Sequence, residues 1–223
     1  MKKMNSSFRI SRLTRPDKPR FVALMSEAFS RDPLFLYVFG DSELDERAGS
    51  NAAAFVSFIF DMSFMLHEEA WGLFENDTLL GAYVVEKPGA SKLQRVGGGL
   101  RLIGRMLPLF LRLPRNTLRL LNSYMRATRS SAPPWAHHYL VMIGVRPDRQ
   151  GKGVGTALLN HLLNTVHTDP NSRGVALDTE NEDNVNLYRR FGFALGGEWK
   201  LGSLPVYCMS YRKDDSLFLQ PRK

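Results

Sequence analysis

A glycine-rich loop between a predicted strand and a predicted helix constrains this sequence more than any other feature. The apolar run from His138 to Val145 predicts a strand, and the apolar spacing from Gly155 to Val166 predicts a helix. Between them, glycines occupy positions 151, 153 and 155, so successive backbone N–H groups have no Cβ in front of them. These amides, the positive end of the helix dipole and the nearby Arg149 and Lys152 favour a site for phosphate or pyrophosphate.

Three phosphate-binding motifs compete for this loop. A Walker A motif is excluded, because Gly144 lies seven positions before Gly151 and another glycine follows the lysine of the loop. The dinucleotide fingerprint lacks its third glycine, since Thr156 occupies that position. Asp178, however, ends a later predicted strand, roughly where a ribose-binding acid would lie. A nucleotide-dependent oxidoreductase therefore stays open as an alternative.

The third motif fits the loop best. The segment from Gln150 to Gly155 resembles the Gln/Arg-x-x-Gly-x-Gly/Ala motif with which the GNAT superfamily of N-acetyltransferases binds the pyrophosphate of acetyl-CoA. Downstream, the chain resembles the same family's segment Asn-x-x-Ala-x-x-Leu-Tyr-x-x-x-Gly-Phe. The matching residues are Asn181, Leu187, Tyr188, Gly192 and Phe193. The one departure is Asn184, where alanine is usual.

Two short segments suggest a branch of this family. His-Tyr-Leu precedes the loop, and Leu-Asp-Thr-Glu precedes the asparagine of the downstream segment. This pairing looks like the puromycin-acetyltransferase-like branch. The motif resemblance as a whole spans about Tyr139 to Tyr211.

The resemblance implies an acetyl-CoA site with no metal, and a set of roles for individual residues. The implied cofactor-binding residues are Ile143, Gly144, Val145, Gln150, Gly151, Lys152, Gly153, Val154, Gly155, Thr156, Asn181 and Asn184. Tyr188 is the implied general acid, since a phenol with a pKa of ~10 is protonated at neutral pH. Glu180 is the first candidate for the general base. The other candidates are His137, His138, Glu68 and Glu69.

The order of predicted elements indicates an α/β fold. The predicted elements begin with a strand at Phe8–Leu13 and a helix at Asp17–Phe29, which is followed by a break at Asp32–Phe35. A helix at Glu43–His67 then leads to a hairpin whose second strand is Thr78–Glu86. After the glycine loop and its helix, Gly174–Leu177 predicts a strand, Asn184–Phe191 a helix, and Phe193–Leu201 and Pro205–Tyr211 two closing strands. The family resemblance implies a mixed, mostly antiparallel central sheet flanked by helices. We expect one N-acetyltransferase domain over residues 1–223, with a basic helical insertion at about 90–133.

The positive charge of the chain is concentrated in that insertion. The formal net charge is +8, yet nine basic residues and no acidic residue lie between Lys92 and Arg129, which leaves the rest of the chain at −1. On a helical wheel, the arginines from Arg101 to Arg126 share one face above a broad apolar surface, and Pro108 and Pro114 divide the helix. A solvated arginine face is the plainest interpretation. A more specific interpretation is that the arginines contact an anionic ligand or a membrane surface. Nucleic acid is not expected, because no nucleic-acid-binding motif accompanies the arginines.

Other features narrow the class of protein. The single cysteine, Cys208, excludes an internal disulfide framework and a cysteine-only zinc site. The N-terminal residues carry positive charge without an apolar block behind them, so we expect a cytoplasmic protein.

The sequence therefore predicts an acetyl-CoA-dependent acyltransferase. Its expected acceptor is a primary amine of an unidentified small molecule, and an arginine-rich lid would suit an acceptor carrying phosphate or carboxylate. A non-catalytic acyl-CoA sensor, or a module that binds a partner through the basic insertion, is the alternative of a different class. The sequence leaves the oligomeric state undetermined.

Overall fold

The computed structural model describes residues 8–64, 68–89 and 112–213. The strands are β1 (Phe8–Arg12), β2 (Glu68–Glu75), β3 (Thr78–Glu86), β4 (His138–Val145), β5 (Gly174–Thr179), β6 (Ala194–Leu201) and β7 (Leu204–Arg212). The helices are α1 (Lys18–Ala28), α2 (Pro33–Phe39), α3 (Glu46–Ser63), α4 (Arg115–Ser130), α5 (Val154–Thr168) and α6 (Glu182–Arg190). None of these helices is long and apolar enough to span a membrane.

The seven strands form one sheet in the order β1-β2-β3-β4-β5-β7-β6. Neighbouring strands are antiparallel except β4 and β5, which are parallel. The single parallel pair arises because the chain crosses from β4 to β5 through the glycine loop and α5, as a parallel connection requires. This confirms the predicted α/β fold with a mixed, mostly antiparallel sheet.

Helices cover both faces of the sheet. On one face, Leu158, Leu159, Leu162 and Val166 of α5 pack against the sheet in a buried cluster. On the other face, α1 and α3 contribute a second cluster that contains the Phe21–Phe60 ring contact, with centroids 4.8 Å apart. Gly144 of β4 allows α1 to approach closely, since a Cβ there would lie 2.6 Å from the Met25 sulfur.

The predicted break at Asp32–Phe35 was wrong, because helix α2 begins there. The Asp32 side chain accepts hydrogen bonds from the backbone N–H groups of Leu34 (3.0 Å) and Phe35 (3.2 Å), which caps the helix. Pro33 occupies the first turn, where its missing N–H costs nothing. The same Asp-Pro pair that suggests a break therefore starts a helix.

Strands β4 and β5 separate soon after they begin to pair. Their register contains only His138 opposite Val175 and Tyr139 opposite Ala176. The register of β4 against β3 shifts between Met142 and Leu140, so Val141 is an extra residue in the strand. Beyond Tyr139, the edge of β4 that faces β5 has no strand partner among the described residues. The gap opens into the interior of the molecule at the carboxyl end of β5.

The basic insertion is described only from residue 112 onward, so Arg101, Arg105 and Pro108 lie outside the described residues. Helix α4 begins directly after Pro114, as the predicted interruption requires. Arg115, Arg119 and Arg126 are exposed along one side of the helix, while Leu121, Tyr124 and Thr128 are buried on the other. In this part of the chain the arginine face is solvated.

Candidate active site

The glycine loop leads from the end of β4 to the start of α5. Gly151 (φ 72°) and Gly153 (φ 84°) adopt left-handed backbone conformations, which side chains with a Cβ rarely tolerate. No atom lies within 4 Å of the position where a Cβ would stand at either glycine, so both face open space. The Gln150 side chain donates to the Val145 carbonyl (3.3 Å) and ties the loop to the strand end. The loop thus presents the first amides of α5 to a cleft.

This glycine-loop cleft has a volume of about 550 Å³. Ten of the twelve predicted cofactor-binding residues border it, namely Ile143, Gly144, Val145, Gln150, Gly151, Gly153, Gly155, Thr156, Asn181 and Asn184. The two others do not. Lys152 donates its ammonium to the Asp148 carbonyl at 2.8 Å, and the Val154 side chain is buried in the core. The binding roles of all twelve stay predictions.

Asn181 and Asn184 lie at the start of α6. The Asn181 side chain caps this helix by accepting a hydrogen bond from the Asp183 N–H at 2.9 Å, which leaves its NH₂ group to donate elsewhere. Asn184 donates weakly to the Thr179 hydroxyl at 3.4 Å. Both residues border the cleft.

A second, smaller cavity of about 130 Å³ lies where β4 and β5 have separated. Phe29, Phe35, Phe55, Ile59 and Leu121 supply apolar walls. Its polar lining includes Thr128, Arg129, Thr179 and Asn184, and is dominated by carboxyl and tyrosine side chains from α4, α6, β4, the end of β5 and the α2 start: Asp32, Tyr124, Tyr139, Asp178, Glu180 and Tyr188. We call it the carboxyl cavity.

The cleft and the carboxyl cavity meet at a shared border. Five residues line both: Phe29, Asp32, Ile143, Asn184 and Tyr188. The two compartments are therefore neighbours, and these five residues separate or join them.

Tyrosine hydroxyls link the carboxyls of the cavity. Tyr124 donates to Asp178 and, at 2.5 Å, to Glu180. Tyr139 donates to the other oxygen of Asp178. One hydroxyl has only one proton, so the contact of Tyr124 with two carboxyls at once is best satisfied when one of them is protonated.

Burial raises the pKa of every carboxyl in this group. The pKa of Glu180 rises to about 8, because of burial first and the Asp178 charge second. That of Asp32 rises to about 6, since burial outweighs its two backbone hydrogen bonds. Burial also raises the pKa of Asp178, although two tyrosine hydroxyls oppose that effect. At neutral pH Glu180 therefore keeps its proton for most of the time, whereas Asp32 is mostly ionised.

Tyr188 is only 6% exposed and lies at the shared border. Its hydroxyl forms no hydrogen bond with any residue in the described ranges. Burial and the charges of Asp178, Glu180 and Asp32 raise its pKa above the ordinary value of 10.0. The hydroxyl therefore stays protonated at the point where the two compartments meet.

The other candidate bases lie elsewhere. His138 is fully buried and hydrogen-bonds the Ser172 hydroxyl at 2.9 Å, while the His137 ring contacts the Trp135 carbonyl at 2.6 Å. Glu69 pairs with Lys87 at 2.6 Å. Glu68 is buried at the start of β2. None of the four borders the cleft or the cavity.

Comparison with known proteins agrees with this architecture. The family model described as the Acetyltransferase (GNAT) family matches residues 121–193, which include the glycine loop and the Asn181-to-Phe193 segment. No curated protein sequence gives a significant match.

Several solved structures share the fold. One is described as the histone acetyltransferase HPA2 and related acetyltransferase from Corynebacterium glutamicum, with a TM-score of 0.65 at 19% identity over 92% of this chain and 95% of that one. The ribosomal-protein-S18-alanine N-acetyltransferase from Escherichia coli gives 0.54 at 15% identity, covering 92% and 94%. Arabidopsis thaliana NAA60 in complex with acetyl-CoA gives 0.53 at 14% identity, covering 92% and 98%.

The family-model match and the shared fold together indicate an acyltransferase that uses acetyl-CoA as co-substrate. Residues 121–193 match the Acetyltransferase (GNAT) family model, and the chain shares the fold of solved acetyltransferases. Its placement in the puromycin-acetyltransferase-like branch stays a prediction.

Sequence reasoning missed several residues of the carboxyl cavity. It treated Asp178 as a possible ribose ligand, placed Asp32 only in a break between helices, and assigned no role to Tyr124 or Tyr139. A partial signal was present in the two acidic residues at positions 178 and 180, which alternate at the end of a predicted buried strand.

Proposed function

We propose that this protein transfers the acetyl group of acetyl-CoA to a primary amine of a small molecule by direct attack in a ternary complex. Acetyl-CoA occupies the glycine-loop cleft, with its pyrophosphate on the amides of residues 151–156. The amine occupies the carboxyl cavity. The shared border carries this proposal, because five residues, Tyr188 among them, line both compartments.

The chemistry needs a base, an acid and a polarised carbonyl. The amine nitrogen attacks the thioester carbon, and the new N–C bond forms as the C–S bond breaks. Glu180 accepts a proton from the amine, and Tyr188 donates a proton to the departing thiolate. The unpaired edge of β4 near Ile143 supplies backbone N–H groups for the pantetheine arm and the thioester oxygen. Proton exchange with solvent restores Glu180 and Tyr188.

Glu180 accounts better for the base than the other predicted candidates, since it lines the carboxyl cavity and they do not. Its pKa of about 8 sets the pH dependence: the ionised, basic form grows as pH rises toward 8. Tyr188 fits the acid, because its free hydroxyl stands at the border.

The direct test is release of free CoA thiol from acetyl-CoA across a library of amines, with calorimetric binding of acetyl-CoA measured in parallel. We expect amine-dependent thiol release and an N-acetylated product detected by mass spectrometry. Binding of acetyl-CoA without thiol release for any amine would identify the non-catalytic sensor instead. Stabilisation by NAD and not by acetyl-CoA would indicate the oxidoreductase.

A further inference from the structure

The carboxyl cavity has a charge imbalance that limits which amines can react in it. Asp32, Asp178 and Glu180 line it, and Arg129 is the cationic side chain at its wall among the described residues. The Arg129 guanidinium is already bound to the Glu86 carboxylate at 2.8 Å and stacks on the Tyr139 ring, 3.7 Å from its centroid. Its charge is therefore only partly available to the three carboxyls.

Two observations besides the carboxyls indicate a ligand site. The cavity shares five lining residues with the glycine-loop cleft, and one of them, Tyr188, is more than nine-tenths buried and has a hydroxyl without a hydrogen-bond partner in the described ranges. Acceptor oxygens also remain. Asp32 uses one carboxyl oxygen to cap α2, and its other oxygen accepts no hydrogen bond from the described part of the chain.

Building on the proposed function, we propose that the acceptor is a small aliphatic diamine or polyamine, whose second ammonium group binds among Asp32, Asp178 and Glu180.

A monoamine cannot supply this second charge. To attack the thioester, the reacting nitrogen must lose its proton and become neutral, so a monoamine leaves the cavity without any ligand cation at the moment of reaction. A second ammonium keeps its charge throughout. Its apolar linker would lie against the phenylalanine and leucine walls of the cavity.

The second ammonium acts on both catalytic groups in the same direction. A cation near a carboxyl favours the ionised form, so the pKa of Glu180 falls from about 8 toward neutrality and the base becomes available. The carboxyl charges that raise the pKa of Tyr188 are partly neutralised as well, which makes its proton easier to transfer to the thiolate.

Other titratable or charged groups face Glu180 from the surrounding elements. They are Asp32 at the start of α2, Tyr124 and Arg129 on α4, Tyr139 on β4, Asp178 on β5 and Tyr188 on α6. Of these, Arg129 alone is cationic, and it lowers the pKa of Asp178 without appearing among the influences on Glu180. The second ammonium therefore has no competitor of equal strength beside Glu180.

The test compares three acceptors with the same four-carbon chain: putrescine with a distal ammonium, n-butylamine with a distal methyl group, and γ-aminobutyrate with a distal carboxylate. At pH 7 we expect kcat/KM for putrescine to exceed that for n-butylamine by about tenfold or more, as one ion pair in a partly buried site provides. We expect γ-aminobutyrate to be the poorest. The acidic limb of the kcat profile should lie at lower pH with putrescine than with n-butylamine.

A matched pair of variants tests whether the preference for putrescine over n-butylamine depends on the carboxyl cavity. Asp32→Asn keeps a helix-capping side chain but removes its charge, so the putrescine-to-butylamine ratio should fall severalfold. Asp45→Asn makes the same change at the exposed cap of α3, where Asp45 accepts from the Arg47 N–H, and should leave the ratio unchanged.

Equal kcat/KM for putrescine and n-butylamine would overturn the inference while leaving the acetyltransferase assignment intact. So would a preference for γ-aminobutyrate. If acetyl-CoA binds and no amine of the library releases thiol, the proposed function fails, and the inference fails with it.

Discussion

The two compartments of the site are built in opposite ways. The pyrophosphate side of the glycine-loop cleft is formed by backbone amides of one short segment, residues 150–156, although residues of α1, the α1–α2 turn and α6 also border the cleft. The carboxyl cavity uses side chains from segments far apart, such as Asp32, Tyr124 and Asp178. Backbone amides serve any ligand with a pyrophosphate, whereas converging side chains fix the charge and size of one kind of ligand. Under the proposed function, the cleft holds acetyl-CoA and the cavity selects the acceptor.

The largest effect should come from the residue at the border of the two compartments. Tyr188→Phe removes the proton donor and keeps the ring that packs against Phe193. We expect kcat to fall about 100-fold, within the range of general-acid contributions, with little change in the Kd of acetyl-CoA. Tyr37→Phe, at an exposed tyrosine, is the matched control and should keep wild-type turnover. Equal turnover in Tyr188→Phe would remove this tyrosine from the mechanism.

The base in the carboxyl cavity should matter nearly as much. Glu180→Gln keeps the side-chain shape and its contact with Tyr124 but cannot accept a proton. We expect a fall in kcat of about 50-fold and loss of the acidic limb near pH 8 in the pH profile. Glu182→Gln, exposed two residues later, should behave as wild type. A pH profile unchanged in Glu180→Gln would move the base to another group.

A charge placed in the glycine-loop cleft should affect binding and not chemistry. Gly155 lies in the first turn of α5 without a left-handed φ, and a Cβ there makes only an ordinary contact of 3.6 Å with Val145. Gly155→Glu should therefore fold, yet its carboxylate would repel the pyrophosphate and raise the Kd of acetyl-CoA at least tenfold. The control Asn164→Glu adds the same charge at an exposed position of the same helix. If calorimetry gave the same affinity for acetyl-CoA in both variants, the assignment of the pyrophosphate to this loop would be wrong.

The cavity also predicts how stability depends on pH. The pKa values of Asp32 and Glu180 rise from 3.8 and 4.5 to about 6 and about 8 on folding. The folded state then binds more protons than the unfolded state, so this contribution is complete below about pH 4 and is lost as pH rises through 6 and 8. We expect the Tm of the ligand-free protein to fall by a few degrees between about pH 5 and pH 8.5. Glu180→Gln should flatten the upper part of that decline, and a Tm that rises over this interval would contradict the pKa assignment.

The smallest effect should come from the basic face of α4. Arg119 is exposed, and its helix contributes to the cavity from the opposite side, through Leu121 and Tyr124. Arg119→Gln should leave stability within about 0.5 kcal/mol of wild type and the kinetic constants unchanged. A large loss of acceptor affinity would restore the idea of an arginine lid over an anionic acceptor.

The difference between local and tertiary features of the two compartments explains which parts of the structure the sequence could predict. The strands, the glycine loop and the Asn181-to-Phe193 segment were predictable because their signals are local: apolar runs, alternate glycines and fixed spacing. The start of α2 was not, since Asp-Pro occurs both at breaks and at helix N-termini, and only the Asp32 hydrogen bonds distinguish them. The carboxyl cavity depends on the separation of β4 from β5 after Tyr139, a tertiary feature without a local signature.

The central claim is that an amine in the carboxyl cavity attacks acetyl-CoA in the cleft directly. Cys208, the single cysteine of the chain, borders neither compartment, so it cannot carry the acetyl group between them. Initial rates measured with acetyl-CoA and putrescine varied together should give intersecting double-reciprocal lines, as a ternary complex requires. Parallel lines, together with an acetylated enzyme detected by mass spectrometry in the absence of amine, would contradict direct transfer.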